Sequence, residues 1–394
     1  MVNSTENKFS AWPVFEDDEI ESVVNVLQSG KVNYWTGDEG RNFENEFAKI
    51  SNSKYAVALT NGTVALELAL HSLNIGAGSE VIVTPRTFIA SASCIVRCGG
   101  VPVMADIDPE SQNILPSAVE RAITNKTKAI IAVHLAGWPC EMDSIMDIAT
   151  KHGLKVIEDC AQATGAAYKG HPVGCLGHVG AFSFCQDKII TTGGEGGMLT
   201  TNDPEIWEKA WAFKDHGKSF DAVYNRKHAQ GFRWLHESFG TNWRMLEMQA
   251  SIGRIALKKL SKWVEIRRNN ASILTKCFKE IPALRVTVPP KEVFHSYYKY
   301  YSFLRPEYLK PGWNRDKIIE LINNEGIPCF SGSCSEIYLE KAFEDAGLQP
   351  RERLPVAQTL GETSLMFLVH PTLSEENMNE TVRVVKRIFA ICTK

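Results

Sequence analysis

Between about residues 54 and 200, short runs of β-branched and other apolar residues alternate with stretches of helical period. This is the pattern of a parallel or mixed sheet covered by helices. The runs predicted as strands are KYAVALT, EVIVTP, VPVMADI, KAIIAVHL, KVIEDC, GAFSFC and GMLTT, and together they make one seven-stranded sheet. Between them, VALELALHSL steps Val64, Leu68 and His71 at helical spacing, and CEMDSIMDIATKHG ends in Gly153 as a C-cap. Ahead of the sheet, DDEIESVVNVLQSG gathers Ile20, Val23, Val24 and Leu27 on one helical face and stops at Gly30. An amphipathic lead-in helix is expected there.

After residue 245 the texture becomes one long helical tract, MLEMQASIGRIALKKLSKWVEIRRNNASILTKCF, followed by PPKEVFHSYYKYYSF and a further α/β run. The expected boundary lies near residue 250, with a large domain over 1–250 and a smaller C-terminal α/β domain over 251–394. The stretch 214–241 has no clear period and is too long for an idle connection, so a functional or intersubunit role is expected.

A chain of 394 residues with 44% hydrophobic content can bury one large core and a smaller one. Forty-three basic against 46 acidic residues leave a net charge of -3, so no global field favours nucleic acid or an anionic membrane. The ten cysteines are scattered without C-x-x-C pairing or metal-ligand spacing, and read as buried thiols in a reducing cytoplasm. The segment MVNSTENKFSAW has no basic stretch followed by an apolar core, and no run reaches the roughly 20 apolar residues of a membrane span. A cytoplasmic protein with small-molecule partners, no bound metal, no nucleic acid and no membrane is the expectation.

Four predicted strand ends carry polar residues: TNGT at 60–63, PRTF at 85–88, EDCAQA at 158–163, and SFCQDK at 183–188. Ligands of open α/β sheets bind beyond the carboxyl ends of strands, so these four can converge on one crevice. Gly62 and Thr63 open a helix whose first amides and dipole suit a phosphate, although TNGT by itself reads more readily as a simple N-cap. Asp159 follows a strand, where a carboxylate needs a cationic or hydrogen-bonding partner; by itself it reads equally as a cap for the next short helix. Phe88 is either core or a stacking platform, and Ser183 either a satisfied strand hydroxyl or a phosphate ligand. Lys188 either projects into solvent from a strand-turn-strand unit or holds its amine over a cofactor. An amine, an acid for a ring nitrogen, an aromatic face and phosphate donors together match pyridoxal 5'-phosphate (PLP).

NGTVALELAL, VIVTPRTFIASA, DIDPESQNI, VIEDCAQATGAAYKG, GAFSF followed three residues on by Lys188, GEGGMLTTND and TNWRMLEMQASIG resemble the DegT/StrS nucleotide-sugar aminotransferases, a branch of the fold-type I PLP enzymes. The resemblance runs from the lead-in helix to HPTLSEE. It implies Lys188 as the Schiff-base lysine, Asp159 as partner of the pyridine nitrogen, Gln162 near the ring hydroxyl and Phe88 stacked on the ring. Gly62, Thr63 and Ser183 would hold the phosphate, and Asn242 would reach the phosphate of a neighbouring subunit, making a homodimer with shared sites the active unit. It also implies amino transfer from L-glutamate, through pyridoxamine phosphate, to a nucleotide-linked keto sugar. Lys188 argues against the related branch that carries histidine there and dehydrates its substrate.

YWTGDEG and FSGSCSEIYLEKAF lie where the family holds sugar and nucleotide, which makes Trp35, Thr36, Arg86 and Tyr338 candidate contacts. Arg86 departs from the commoner family pattern, leaving its contact to substrate or donor carboxylate open. The second segment resembles enzymes acting at C4 of UDP-linked 2-acetamido-4-keto-6-deoxy sugars, for surface polysaccharide or glycan synthesis. Transfer to C3 or to a dTDP-linked sugar is the alternative, as is a PLP-binding regulator without turnover. The latter lacks any DNA-binding extension or basic stripe.

Overall fold

The computed structural model describes residues 9–227 and 233–394. The seven predicted strands all form, and they lie in one sheet in the order Tyr55–Leu59, Gly197–Thr201, Val179–Ser183, Lys155–Asp159, Thr127–Val133, Glu80–Val83, Val101–Met104. Gly197–Thr201 runs antiparallel to both neighbours, and the other pairings are parallel. The strands are buried almost throughout, which is why they read as continuous apolar runs instead of alternating ones. Helix Gly62–Ser72 is likewise buried nearly all round, so its packing face is Ala65, Leu66, Leu68, Ala69 and Leu70, while His71 lies outside and stacks on Phe213. Helix Met142–His152 ends on Gly153 at φ +65°, as expected of a left-handed cap.

The lead-in helix forms over Asp17–Ser29 and stops at Gly30, but it is turned differently from the amphipathic expectation. Glu19 and Val26 are its buried residues, whereas Ile20, Val24 and Leu27 are 53%, 42% and 54% exposed. The reason is electrostatic: Lys259, on the 32-residue helix Glu247–Phe278, draws in Glu16, Asp18 and Glu19 at 2.7–3.0 Å, and so turns the acidic end of the lead-in helix toward that helix.

A second, four-stranded antiparallel sheet is made by Leu284–Val286, Tyr300–Leu304, Ser364–Phe367 and Cys329–Phe330. Helices Arg315–Asn324 and Glu375–Cys392 and the distal half of Glu247–Phe278 close its core. Phe9 belongs to this core, so the N-terminal segment crosses from the C-terminal part of the chain to the large sheet. A small three-stranded ribbon joins Val293–Phe294 to Ala167–Tyr168 and His171–Pro172.

Among its described residues, the irregular stretch 214–241 contains the short helix Phe220–Tyr224 and pairs Lys218 with His236, while Asp215 pairs with Asn242 just beyond it. Gly217 is required there, because a Cβ would lie 1.8 Å from the Ser238 carbonyl oxygen. Trp234 and Phe239 are almost fully exposed. All ten cysteines are free; Cys94, Cys140, Cys160, Cys329 and Cys392 are buried, but Cys334 is exposed and the rest are half-buried, against the expectation of uniformly buried thiols. Among the described residues no helix is long and apolar enough to cross a membrane.

Candidate active site

The four polar strand ends do meet at one edge of the sheet. Asn61 caps helix Gly62–Ser72 by accepting from Val64 N at 3.0 Å, which leaves the amides of Gly62 and Thr63 at the helix start without an intrahelical carbonyl. Strand Val179–Ser183 brings Ser183 against them so closely that a Cβ on Gly62 would sit 2.6 Å from that of Ser183. Gly197, paired with Ser183, meets the Asn61 carbonyl from the other side; a Cβ there would lie 2.3 Å from it. The result is a glycine-walled cradle of free amides and a hydroxyl at a positive helix end, which suits a phosphate.

Asp159 lies beyond the cradle. Its Oδ2 accepts from the Ser91 hydroxyl at 2.7 Å and its Oδ1 from Ala161 N at 3.1 Å. Ser91 in turn shares a 2.8 Å hydrogen bond with Thr87, tying the acid to the segment that carries Phe88. Phe88 itself is 67% exposed at the carboxyl edge of the sheet, so its ring is open to a ligand. Gln162 is buried and accepts from Ala136 N at 2.8 Å. The residue before Asp159 fixes the strand: Glu158 accepts from Gly174, Leu176 and Gly177 amides at 2.7–2.8 Å and pairs with His134 Nε2 at 3.0 Å. Because His134 Nδ1 accepts from Cys140 N, the proton of this imidazole is on Nε2 and faces Glu158.

Lys188 opens the loop between strands Val179–Ser183 and Gly197–Thr201. Thr191 and Thr192 fold this loop back, and Gly193 and Gly194, at φ +86° and +118°, make the turn that only glycine tolerates well. The Lys188 ammonium sits 4.9 Å from the centroid of Tyr298, and its carbonyl oxygen accepts from Trp12 Nε1 at 2.8 Å. Trp12 is wedged between Trp263, His370 and the guanidinium of Arg267. The Tyr298 hydroxyl donates to Asp187, whose carboxylate is also 3.6 Å from Lys299 Nζ.

Trp12, Ser91, Asp187, Tyr298 and Lys299 were not singled out by sequence. The one local signal was Ser91, one helical turn beyond Phe88.

The candidate substrate contacts separate. Arg86 is fully buried; its Nε donates to Gln112 Oε1 at 3.0 Å, its guanidinium faces the Tyr301 ring, and neither Nη has a hydrogen-bond partner among the described residues. Burial pushes its pKa down. Trp35 packs edge-on to Trp211 under Lys218, with its Nε1 buried and without a hydrogen-bond partner among the described residues. Thr36 is exposed and its hydroxyl closes a local turn onto the Asn33 carbonyl. Tyr338 is buried, its hydroxyl donating to Glu336 and accepting from Leu354 N, so its one donor is already used within the chain. Asn242 is exposed and is not the helix cap that its place before MLEMQASIG allowed, because the N-cap of Glu247–Phe278 is Leu246, backed by Gln249.

A family model for the DegT/DnrJ/EryC1/StrS aminotransferase family matches residues 13–386. The chain belongs to that family. It superposes on an aminotransferase from Psychrobacter cryohalolentis with a TM-score of 0.96 and 56% identity, over 97% of this chain and 99% of that one. It is 35% identical to GDP-perosamine synthase of Escherichia coli O157:H7, over 87% of this chain and 89% of the synthase. It is also 35% identical to UDP-N-acetyl-3-dehydro-alpha-D-glucosamine 3-aminotransferase of Acidithiobacillus ferrooxidans, over 94% of each chain. The protein is thus a PLP-dependent sugar aminotransferase of fold type I, acting on a nucleotide sugar with an amino donor. The cradle at Gly62 and Ser183, the exposed Phe88 and the buried Asp159 fit that cofactor's phosphate, ring and ring nitrogen.

Proposed function

We propose that this enzyme transfers the amino group of L-glutamate to C4 of a UDP-linked 2-acetamido-4-keto-2,6-dideoxy-hexose, in the cytoplasm, for a surface polysaccharide such as lipopolysaccharide. The observation that supports the site is that the Gly62–Ser183 cradle, Asp159 with its Ser91–Thr87 tie to the Phe88 segment, and the loop bearing Lys188 all follow carboxyl ends of strands in the one large sheet. Bound there, PLP supplies an electron sink and carries nitrogen between the two substrates. Gly62, Thr63 and Ser183 would hold its phosphate, Phe88 would cover one face of its ring, and Gln162 would lie near its ring hydroxyl. Asp159, oriented by Ser91, would hold a proton on the ring nitrogen. Lys188, once free, would serve as the base and acid for the proton at the reacting carbon.

The sugar assignment rests on the segment GSCSEIY. Its Cys334 carbonyl accepts from Thr87 N at 3.2 Å and its Ile337 amide donates to the Pro85 carbonyl at 3.1 Å, so this segment borders the one that presents Phe88. Arg86, between them, is the proposed contact for a carboxylate of donor or substrate. Trp35 and Thr36 are proposed to line the sugar and nucleotide, with Tyr338 supporting the wall from behind. The division of the chain near residue 250 and a homodimer completed by Asn242 belong to the same proposal.

Turnover of isotope-labelled glutamate with a panel of nucleotide keto sugars, read by product NMR, tests it. Label at C4 of the UDP sugar is expected. Label at C3, the position named for the Acidithiobacillus relative, or only with GDP or dTDP sugars, would overturn the substrate and leave the transamination.

A further inference from the structure

Lys188 has a carboxylate as its immediate neighbour in sequence. Burial alone would raise the pKa of Asp187, but Lys188, the Tyr298 hydroxyl and Lys299 outweigh it, so the group is held ionised below its ordinary range. Such a carboxylate is a hazard to the reaction proposed above. When a donor releases Lys188 from the cofactor, the freed amine must stay at the reacting carbon, yet an ionised neighbour on the adjacent residue attracts it as an ammonium ion and would hold it protonated. In the structure one oxygen of that carboxylate is already engaged: Tyr298 donates its hydroxyl to Oδ2, and the Lys299 ammonium lies 3.6 Å from the same oxygen.

Lys299 and Lys188 lie 4.7 and 4.9 Å from the centroid of the one Tyr298 ring, so both amines border the same aromatic surface. The remaining charged or titratable groups around Lys299 among the described residues are Arg267, buried with Nε and Nη2 without a hydrogen-bond partner there, and His370. Burial lowers Lys299 to about 8, with Asp187 opposing and Arg267 and Lys188 adding to the fall. His370 is held neutral by burial, at about 3. The neighbourhood is therefore rich in positive charge and has Asp187 as its counter-ion.

We propose that Lys299 and the Tyr298 hydroxyl together occupy the Asp187 carboxylate so that it cannot capture the released amine of Lys188. Lys299 is thus a positioning residue of the reaction. This rests on the reading of Lys188 as the cofactor lysine.

The test uses Lys299→Met, which keeps an unbranched side chain, beside Lys299→Arg and the double variant Lys299→Met/Asp187→Asn. In Lys299→Met, kcat is expected to fall at least about 10-fold, as for a misdirected general base, with KM for donor and sugar little changed. Lys299→Arg should restore most of it, and so should the double variant, because it removes the carboxylate that captures Lys188. A readout independent of turnover is the acetylation rate of Lys188 by limiting acetic anhydride in enzyme loaded with pyridoxamine phosphate. It should slow in Lys299→Met and recover in the double variant. If Lys299→Met does not fold, Tyr298→Phe removes the other occupant of Asp187 and should slow acetylation in the same way.

Unchanged acetylation, a double variant no better than Lys299→Met, or a raised donor KM with kcat preserved would overturn the inference. The last result would make Lys299 a substrate contact. Borohydride reduction of the wild type separates the two levels of argument. A cofactor linked to a different lysine removes the reading of Lys188, whereas a cofactor on Lys188 with unresponsive acetylation removes only the role of Lys299.

Discussion

Trp12 and Lys188, 176 positions apart, are joined by a 2.8 Å hydrogen bond from the indole N–H to the lysine carbonyl oxygen. The indole is itself clamped by Trp263, His370 and Arg267, so the N-terminal segment fixes the backbone from which the proposed cofactor amine projects. Trp12→Phe keeps a ring in this clamp and deletes the donor. A stability loss of about 1 kcal/mol is expected in urea unfolding, the worth of one hydrogen bond. Turnover should fall further than that, up to about 100-fold if the lysine shifts by about 1 Å. Equal turnover in the variant would show that Trp12 only packs.

Lys188→Ala should yield a protein that still binds PLP through its phosphate and ring contacts but carries no cofactor after borohydride reduction and digestion. Turnover should be abolished. Covalent label recovered on Lys299, the other amine beside Tyr298, would move the assignment to that residue.

Asn242 is exposed and next to the paired segment at Asp215, with no capping duty to explain it. Asn242→Asp should weaken cofactor binding by placing a carboxylate against a phosphate. Lys188→Ala and Asn242→Asp homodimers should each be nearly inactive, and co-refolding them should restore activity, because a mixed dimer has one site with both residues sound. A confirmed mixed dimer without recovery, or an active Asn242→Asp homodimer, takes Asn242 out of the site.

Acid should destabilise the fold through two buried histidines. Burial, with Arg268 adding, lowers His295 to about 3; burial, with Arg267 and Lys299 adding, lowers His370 to about 3. The unfolded chain therefore takes up their protons first. Their contribution is complete above the ordinary histidine range near 6.5 and is lost as pH falls toward 3. Within that window each should add about 1.4 kcal/mol per pH unit to the slope of unfolding free energy. Urea unfolding of His370→Gln from pH 7 to pH 4.5 should show a slope shallower by one proton.

The sheet was legible because its strands are buried on both faces and so stand out as short apolar runs between turns. The candidate cofactor residues stood out in the sequence because they end such runs or lie within about five residues of their ends. The orientation of the lead-in helix was hidden, since Lys259, 240 positions beyond Glu19, decides it. Tyr298 and Lys299 were hidden for the same reason: they reach Asp187 from the small antiparallel sheet's approach, and YYKYY by itself reads as core. Asn242 was singled out only through the resemblance; by local pattern alone it passes as a cap for the following helix, a place that Leu246 takes instead.

Strand Gly197–Thr201 runs against its neighbours, and this reversal does more than vary the sheet. It makes the chain leave the sheet at Ser183 and re-enter it at Gly197, two residues paired in register, so the excursion bearing Lys188 begins and ends at a single rung. Such a segment is a self-closing cassette. Its ends need no new crossover when its contents change, so evolution or an engineer can exchange the whole lysine-bearing loop between relatives while the sheet beneath keeps its wiring.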